Sequence, residues 1–276
     1  MSALTTIDRA GIAALERPGD SPVPVMCLHG FGSHAQSYGA MMTALRPGLR
    51  ALAWDMPGYG GSQPLPMPNP SAEDYAAALA RFLDACGLAQ VVLVGHSLGT
   101  LIAAAMARLH PQRVKALLLL SPTAGYGAAP GDPVPEVVAG RLKAFAVEGA
   151  AAYASARAAN LVHDPARHAD VVASVARGMA ALRHDGFMQA GAMLACARIF
   201  DDLAKIQAPA LVAVGVQDKV TTPDKVALIA AAVPPDWRLE TSMVLLPECG
   251  HALTQQQPRL AADLVARVVD FPGTIP

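Results

Sequence analysis

The stretch VVLVGHSLGTLIAAAMA, Val91 to Ala107, decides how the whole chain is read. Four apolar residues, Val91 to Val94, have the composition of a strand covered on both faces. Gly95-His96-Ser97-Leu98-Gly99 follows, and an alanine-rich run of helical character begins at once. The glycines on either side of Ser97 carry no Cβ, so the strand can turn sharply and the helix can pack close to its neighbours. Such a turn lifts the Ser97 hydroxyl above the sheet. The N–H of Leu98 then points at any oxygen bound there, and the helix dipole favours negative charge at that place. In this setting the segment reads as a nucleophile elbow.

Working outward, the same rhythm recurs. Residues 22–30, 49–58, 115–122, 209–218 and 242–251 are short apolar runs ending in turn residues, and all read as strands. Helix-length segments separate them. In 71–87, Ser71 caps a helix, Asp74 completes a capping-box start and Gly87 ends it. Strand alternating with helix predicts a doubly wound α/β fold with a mostly parallel sheet, and the opening LTTIDRAGIAALER predicts an edge hairpin. The alternation stops after Pro122. Residues 123–205 contain helix-like stretches and no strand pattern, entered through the Gly- and Pro-rich TAGYGAAPGDPVP. A single crossover seldom needs so long a connection. We therefore expect an α/β core formed by 1–122 and 206–276, with 123–205 as a helical cap over the sheet's C-terminal edge.

A serine hydroxyl is a poor nucleophile at neutral pH and needs a base within hydrogen-bond reach. Histidine suits the role, and an acid must hold its tautomer and stabilise the imidazolium. Further motifs appear in an order that resembles the α/β-hydrolase family over nearly the whole chain. HGFGS, His29 to Ser33, follows an apolar strand; WDMPGYGGS spans 54–62; GVQDKVTTP spans 215–223; ECGHAL spans 248–253. The resemblance implies Ser97 as nucleophile, Asp218 as acid and His251 as base. It also implies that the N–H groups of Phe31 and Leu98 form the oxyanion hole.

Competing residues read differently. His29 is expected to organise the oxyanion loop, His96 is the variable position within the elbow, and His110 precedes a proline at a helix end. His163, His168 and His184 fall in the expected cap; His34 lies just beyond the oxyanion loop without a strand before it. Asp55 fits a turn in which its carboxylate ties up backbone N–H groups. Glu248 reads as a surface carboxylate, and Cys249 as a small buried residue. Ser33 and Ser62 lack the strand–turn–helix setting.

Composition narrows the function. The 276 residues are 53% apolar and 16% charged with a formal charge of −1, which suits one large globular domain and gives no basic surface for nucleic acid or anionic membrane. No run approaches the roughly 20 apolar residues that span a bilayer, and the first 20 residues lack a signal-peptide pattern. The four scattered cysteines have neither metal-type nor disulfide-framework spacing, which points to a cytoplasmic enzyme with reduced thiols. No metal or organic cofactor is implied, and the partner expected is a small, largely uncharged substrate. Tyr126, Phe187, Met188 and Met193 are expected to supply apolar walls to its pocket.

The layout is similar to enol-lactone hydrolases and small carboxylesterases, and also to carbon–carbon hydrolases acting on ring-cleavage products. Those carbon–carbon relatives often carry a tryptophan after the last histidine, where this chain has Ala252. Aspartate-nucleophile dehalogenases and epoxide hydrolases are excluded by Ser97. A ligand-binding protein with weak catalysis is the reading from a different class.

Overall fold

The computed structural model describes residues 3–129, 131–240 and 243–271. Eight strands form one sheet: β1 (Thr5–Arg9), β2 (Ile12–Arg17), β3 (Val25–Leu28), β4 (Ala51–Trp54), β5 (Val91–His96), β6 (Val114–Leu120), β7 (Ala210–Gly215) and β8 (Val244–Leu246). Their order is β1-β2-β4-β3-β5-β6-β7-β8, and every pairing is parallel except β1 with β2 and β2 with β4. Each expected strand is present; that of 242–251 covers only Val244–Leu246, and Ser242 lies outside the described residues. The edge hairpin also forms, around Ala10 and Gly11 with φ of 53° and 75°, the left-handed pair that a two-residue hairpin turn requires.

The helices are α1 (Gly39–Ala44), α2 (Ala72–Ala85), α3 (Gly99–Leu109), α4 (Glu136–Arg157), α5 (Ala169–Ala180), α6 (His184–Cys196), α7 (Ile199–Leu203), α8 (Pro223–Ala232), α9 (Leu253–Gln256) and α10 (Pro258–Val269). Why the inner strands are apolar throughout is plain from their packing. Val25, Cys27, Val92, Val94, Leu118 and Leu120 face the layer formed by α1 and α10. Met26, Leu28, Leu93, Leu117 and Leu119, the alternate residues, face the layer formed by α2, α3 and α8. Both faces are thus dry. At the start of α2, Ser71 accepts from Asp74 N–H while the Asp74 carboxylate accepts from Ser71 N–H, closing the expected capping box.

Between β6 and β7 the described residues form helices and no strand. The first of these helical stretches is broken. Gly149, with φ 76° and ψ 162°, interrupts α4, and a short 3-10 turn follows at Ala158–Leu161. Glycine adopts this left-handed φ without steric cost, which an alanine-rich pattern conceals. The inserted helices share one apolar cluster with the sheet, through Phe145, Tyr153, Phe187 and Met193 among others. Gln189 of α6 fastens them to the core by donating to the carbonyls of Leu65 at 2.8 Å and Met67 at 2.7 Å and accepting from Leu65 N–H at 3.2 Å. α7, the last element before β7, packs on α3 and so lies in the layer covering the sheet.

Candidate active site

Ser97 sits where β5 becomes α3, with φ of 51°. A non-glycine residue pays sterically for that conformation. It is held there by its own N–H donating to Leu120 O of β6 at 2.9 Å and its carbonyl accepting from Thr100 N–H at 3.0 Å. Gly99 permits the turn, because a Cβ there would come within 2.0 Å of the Leu28 carbonyl oxygen. The N–H groups of Phe31 and Leu98 are engaged in no hydrogen bond among the described residues. Phe31 and Leu98 line the same cavity as Ser97.

Asp218 follows β7 and His251 follows β8. His251 Nδ1–H donates to Asp218 Oδ2 at 2.8 Å, and both side chains are buried. The other carboxylate oxygen, Oδ1, accepts from Val220 N–H at 2.8 Å and Thr221 N–H at 3.0 Å. Burial alone would raise the Asp218 carboxyl, but the neighbouring His251 and these donors outweigh it and hold it down to about 2. The Ser121 hydroxyl beside it has no partner among the described residues. Asp218 is therefore a carboxylate under all ordinary conditions, oriented on Nδ1, which leaves Nε2 of His251 to handle a proton. The Nε2 atom makes no hydrogen bond to Ser97 Oγ; such contacts are commonly long without substrate.

The loop carrying His251 is gripped on several sides. His96 Nε2–H donates to the main-chain oxygen of His251 at 2.8 Å, and the two rings lie 4.8 Å apart. Gln256 Oε1 accepts from Gly250 N–H at 3.0 Å and from His163 N–H at 3.1 Å, so the inserted segment and the histidine loop share one side chain. Gln217 Oε1 accepts from Cys249 N–H at 3.0 Å. These roles were missed in the sequence, since a glutamine 5 residues beyond His251 or the variable residue of an elbow carries no local pattern.

The remaining candidates fall into place around this centre. His29 Nδ1–H donates to Gly30 O and its Nε2 accepts from Met56 N–H, each at 3.0 Å, which pins the oxyanion loop to the 55–62 turn. Burial pushes this ring down to about 4 against the pull of Asp55, so it stays neutral. Burial likewise takes His96 down to about 3, reinforced by the neighbouring His251. Asp55 Oδ1 accepts from Ala35 N–H at 2.8 Å, a tie between turns, and Ser62 Oγ donates to Asp55 O while accepting from Ala13 N–H. Cys249 is fully buried, and burial pushes its thiol up to about 12, so it is not a nucleophile. Glu248 is exposed.

Two cavities meet at Phe31. The larger, about 290 Å³, contains Ser97 and Leu98 and is walled by Tyr126, Leu194, Phe200 and Ile229. The smaller, about 30 Å³, contains His251, His34 and His96; its volume suits one or two water molecules. Of the four expected wall residues, Tyr126 lines the larger cavity. Phe187 and Met193 do not line either one: both are fully buried in the core, and the Phe187 ring stacks at 4.2 Å on Phe31 and at 4.2 Å on Phe145. Met188 is half-buried and also outside both linings. Phe187 and Met193 lie on the part of α6 packed into the core, whereas Leu194 of the same helix lines the larger cavity.

The alpha/beta hydrolase fold family model matches residues 23–254, and the chain belongs to that family. A 2-hydroxy-6-oxononadienedioate/2-hydroxy-6-oxononatrienedioate hydrolase of Pseudomonas putida is 28% identical, over 84% of this chain and 82% of its own. An esterase of Thermogutta terrifontis superposes with a TM-score of 0.80 at 24% identity, covering 96% of this chain and 97% of its own. An enol-lactonase of Burkholderia xenovorans LB400 also gives a TM-score of 0.80, at 21% identity over 95% of this chain and 98% of its own. These two likenesses speak to the fold. Among the described residues no helix is long and apolar enough to cross a membrane.

Proposed function

We propose that the chain is a serine hydrolase that cleaves a small or medium carboxylic ester or enol-lactone through an acyl-enzyme. The observation that carries this reading is the buried 2.8 Å His251–Asp218 pair, whose loop is held at 2.8 Å by His96, the residue next to a serine in a left-handed strand-to-helix turn. In the first half-reaction His251 Nε2 takes the proton of Ser97 as Oγ attacks the carbonyl carbon. The tetrahedral oxyanion rests on the N–H groups of Phe31 and Leu98, each worth about 3 kcal/mol to the transition state on the scale of known donors. His251 then protonates the leaving oxygen. In the second half-reaction it deprotonates water, which attacks the acyl carbon and releases Ser97.

On this reading 123–205 is a cap that closes the larger cavity over Ser97. A cytoplasmic setting goes with four free cysteines. The second reading is a carbon–carbon hydrolase, favoured by the similarity to the Pseudomonas putida enzyme over most of both chains. Ala252, where a tryptophan is common in such enzymes, weighs against it.

The test is hydrolysis of short p-nitrophenyl esters by wild type and Ser97→Ala between pH 5 and 9. We expect turnover that rises with pH and falls by about 10³-fold or more in the variant. Equal turnover by both proteins would remove Ser97 from the chemistry. Turnover of a ring-cleavage product in preference to any ester or lactone would select the second reading.

A further inference from the structure

The larger cavity has a charge pattern that its apolar walls do not account for. Two cations, Arg141 of α4 and Lys225 of α8, line the same space as Ser97 and Leu98. Among the described residues no carboxylate lines it. Neither cation forms an ion pair or a side-chain hydrogen bond among the described residues, and of the cations without such a partner these two line the cavity that contains Ser97. Arg141 is moreover half-buried. Two cations with no acid beside them give the cavity a positive potential, so a cavity built this way favours an anionic occupant. The planar fork suits a carboxylate in particular, which it binds through two parallel hydrogen bonds.

The apolar groups define where that anion would sit. Pro122, Leu194 and Ile229 wall the cavity, and Tyr126, Phe200 and Leu228 at its rim are 44%, 39% and 66% exposed. A ligand in this cavity therefore meets both hydrocarbon and cations.

We propose that the substrate is an ester or lactone whose acyl part carries a second, ionised carboxylate, and that Arg141 binds this carboxylate while Lys225 adds positive potential at the rim. The inference rests on the serine-hydrolase reading and narrows its substrate. It replaces the expectation of an uncharged substrate, which rests on net charge and on the apolar residues expected to line the pocket and cannot register two cations brought together from 84 positions apart. Arg141 is a specificity-determining residue: it selects the acyl group and takes no part in proton transfer.

The experiment compares 4-nitrophenyl hydrogen adipate with its methyl-capped counterpart, 4-nitrophenyl methyl adipate, at pH 7.5, corrected for spontaneous hydrolysis. The two differ by one charge at the far end of the same chain. For the wild type we expect kcat/KM to favour the charged ester by about tenfold or more, the scale of one charge-assisted hydrogen-bonded contact. Arg141→Gln should bring the ratio to within about threefold of one, and Arg141→Lys should restore part of it. A wild-type ratio near one, or a ratio that Arg141→Gln leaves unchanged, would overturn the proposal. If the wild type turns over neither of these esters nor the short p-nitrophenyl esters, the hydrolase reading fails separately. Calorimetric titration of the wild type and Arg141→Gln with monomethyl and dimethyl adipate then decides the anion site. Tighter binding of the monoanion by about tenfold, lost in the variant, supports it, and equal or absent binding of the two overturns it.

Discussion

His96 and His251 are neighbours twice over: their rings lie 4.8 Å apart, and the Nε2–H of the first holds the main-chain oxygen of the second at 2.8 Å. The residue immediately before Ser97 thus fixes the loop that carries the candidate base. His96→Ala should leave that carbonyl without its donor, at a cost of about 1–3 kcal/mol. We expect kcat to fall about tenfold or more with KM little changed, because the substrate cavity containing Ser97 does not include His96. The same ring governs acid stability. His29 and His96 stay neutral in the folded state down to about 4 and about 3, whereas in the unfolded chain each takes up a proton near pH 6.5. The unfolded state therefore binds more protons over that range, and stability falls as pH drops below about 6.5, by about 1.4 kcal/mol per pH unit for each ring. Urea unfolding from pH 7 to 4 should show this slope, and His96→Ala should reduce it by about half. A slope identical in both proteins would contradict the buried, neutral ring.

Asp218→Asn separates orientation from fold. The asparagine keeps the shape but offers His251 Nδ1 an amide in place of a charge, and related triads lose about 10⁴-fold in kcat by this change. The carboxyl is held down to about 2 in the folded protein against an ordinary value of 3.8. Its contribution to stability, about 2 kcal/mol, is fully present above pH 4 and disappears as pH falls through 2. Kinetics at pH 7.5, with denaturation of both proteins followed from pH 7.5 down to 2, check both statements. A variant with near-normal kcat would remove Asp218 from its role.

Phe187→Ala removes the middle ring of the Phe31–Phe187–Phe145 stack. The truncation of a fully buried phenylalanine should cost about 3–5 kcal/mol in stability. Since Phe31 is one end of the stack, kcat/KM for esters should fall as well, and Phe187→Leu should recover most of the activity. Loss of stability with unaltered kcat/KM would show that the Phe31 backbone is held by other contacts.

How far the chain could be read in advance differs by element. The parallel strands were legible because both faces of each are covered, so Val91–Val94 and Ala116–Leu120 are apolar without interruption. Ser97, Asp218 and His251 could be singled out because each occupies the end of such a run. The partners of these residues were not legible. Thr221 and Gln256 act through contacts that only the assembled loops create, and His96 meets a carbonyl 155 residues away. The inserted helices resisted most. In α4 alanines occur on every side and Gly149 breaks the helix, so no periodicity marks Arg141 as facing a cavity.

The stacked rings also bear on how such a protein can change its substrate. Phe31 sits in the loop after β3, yet its ring is laid against Phe187 of α6, which in turn stacks on Phe145 of α4. The inserted segment is consequently no interchangeable lid. A transplanted set of helices from a relative would have to bring a flat apolar group to the position of Phe187, or be accompanied by a new residue at 31. Diversification here should proceed by exchanges on the cavity-facing side of α4, which leave the stack untouched, sooner than by wholesale replacement of the insertion.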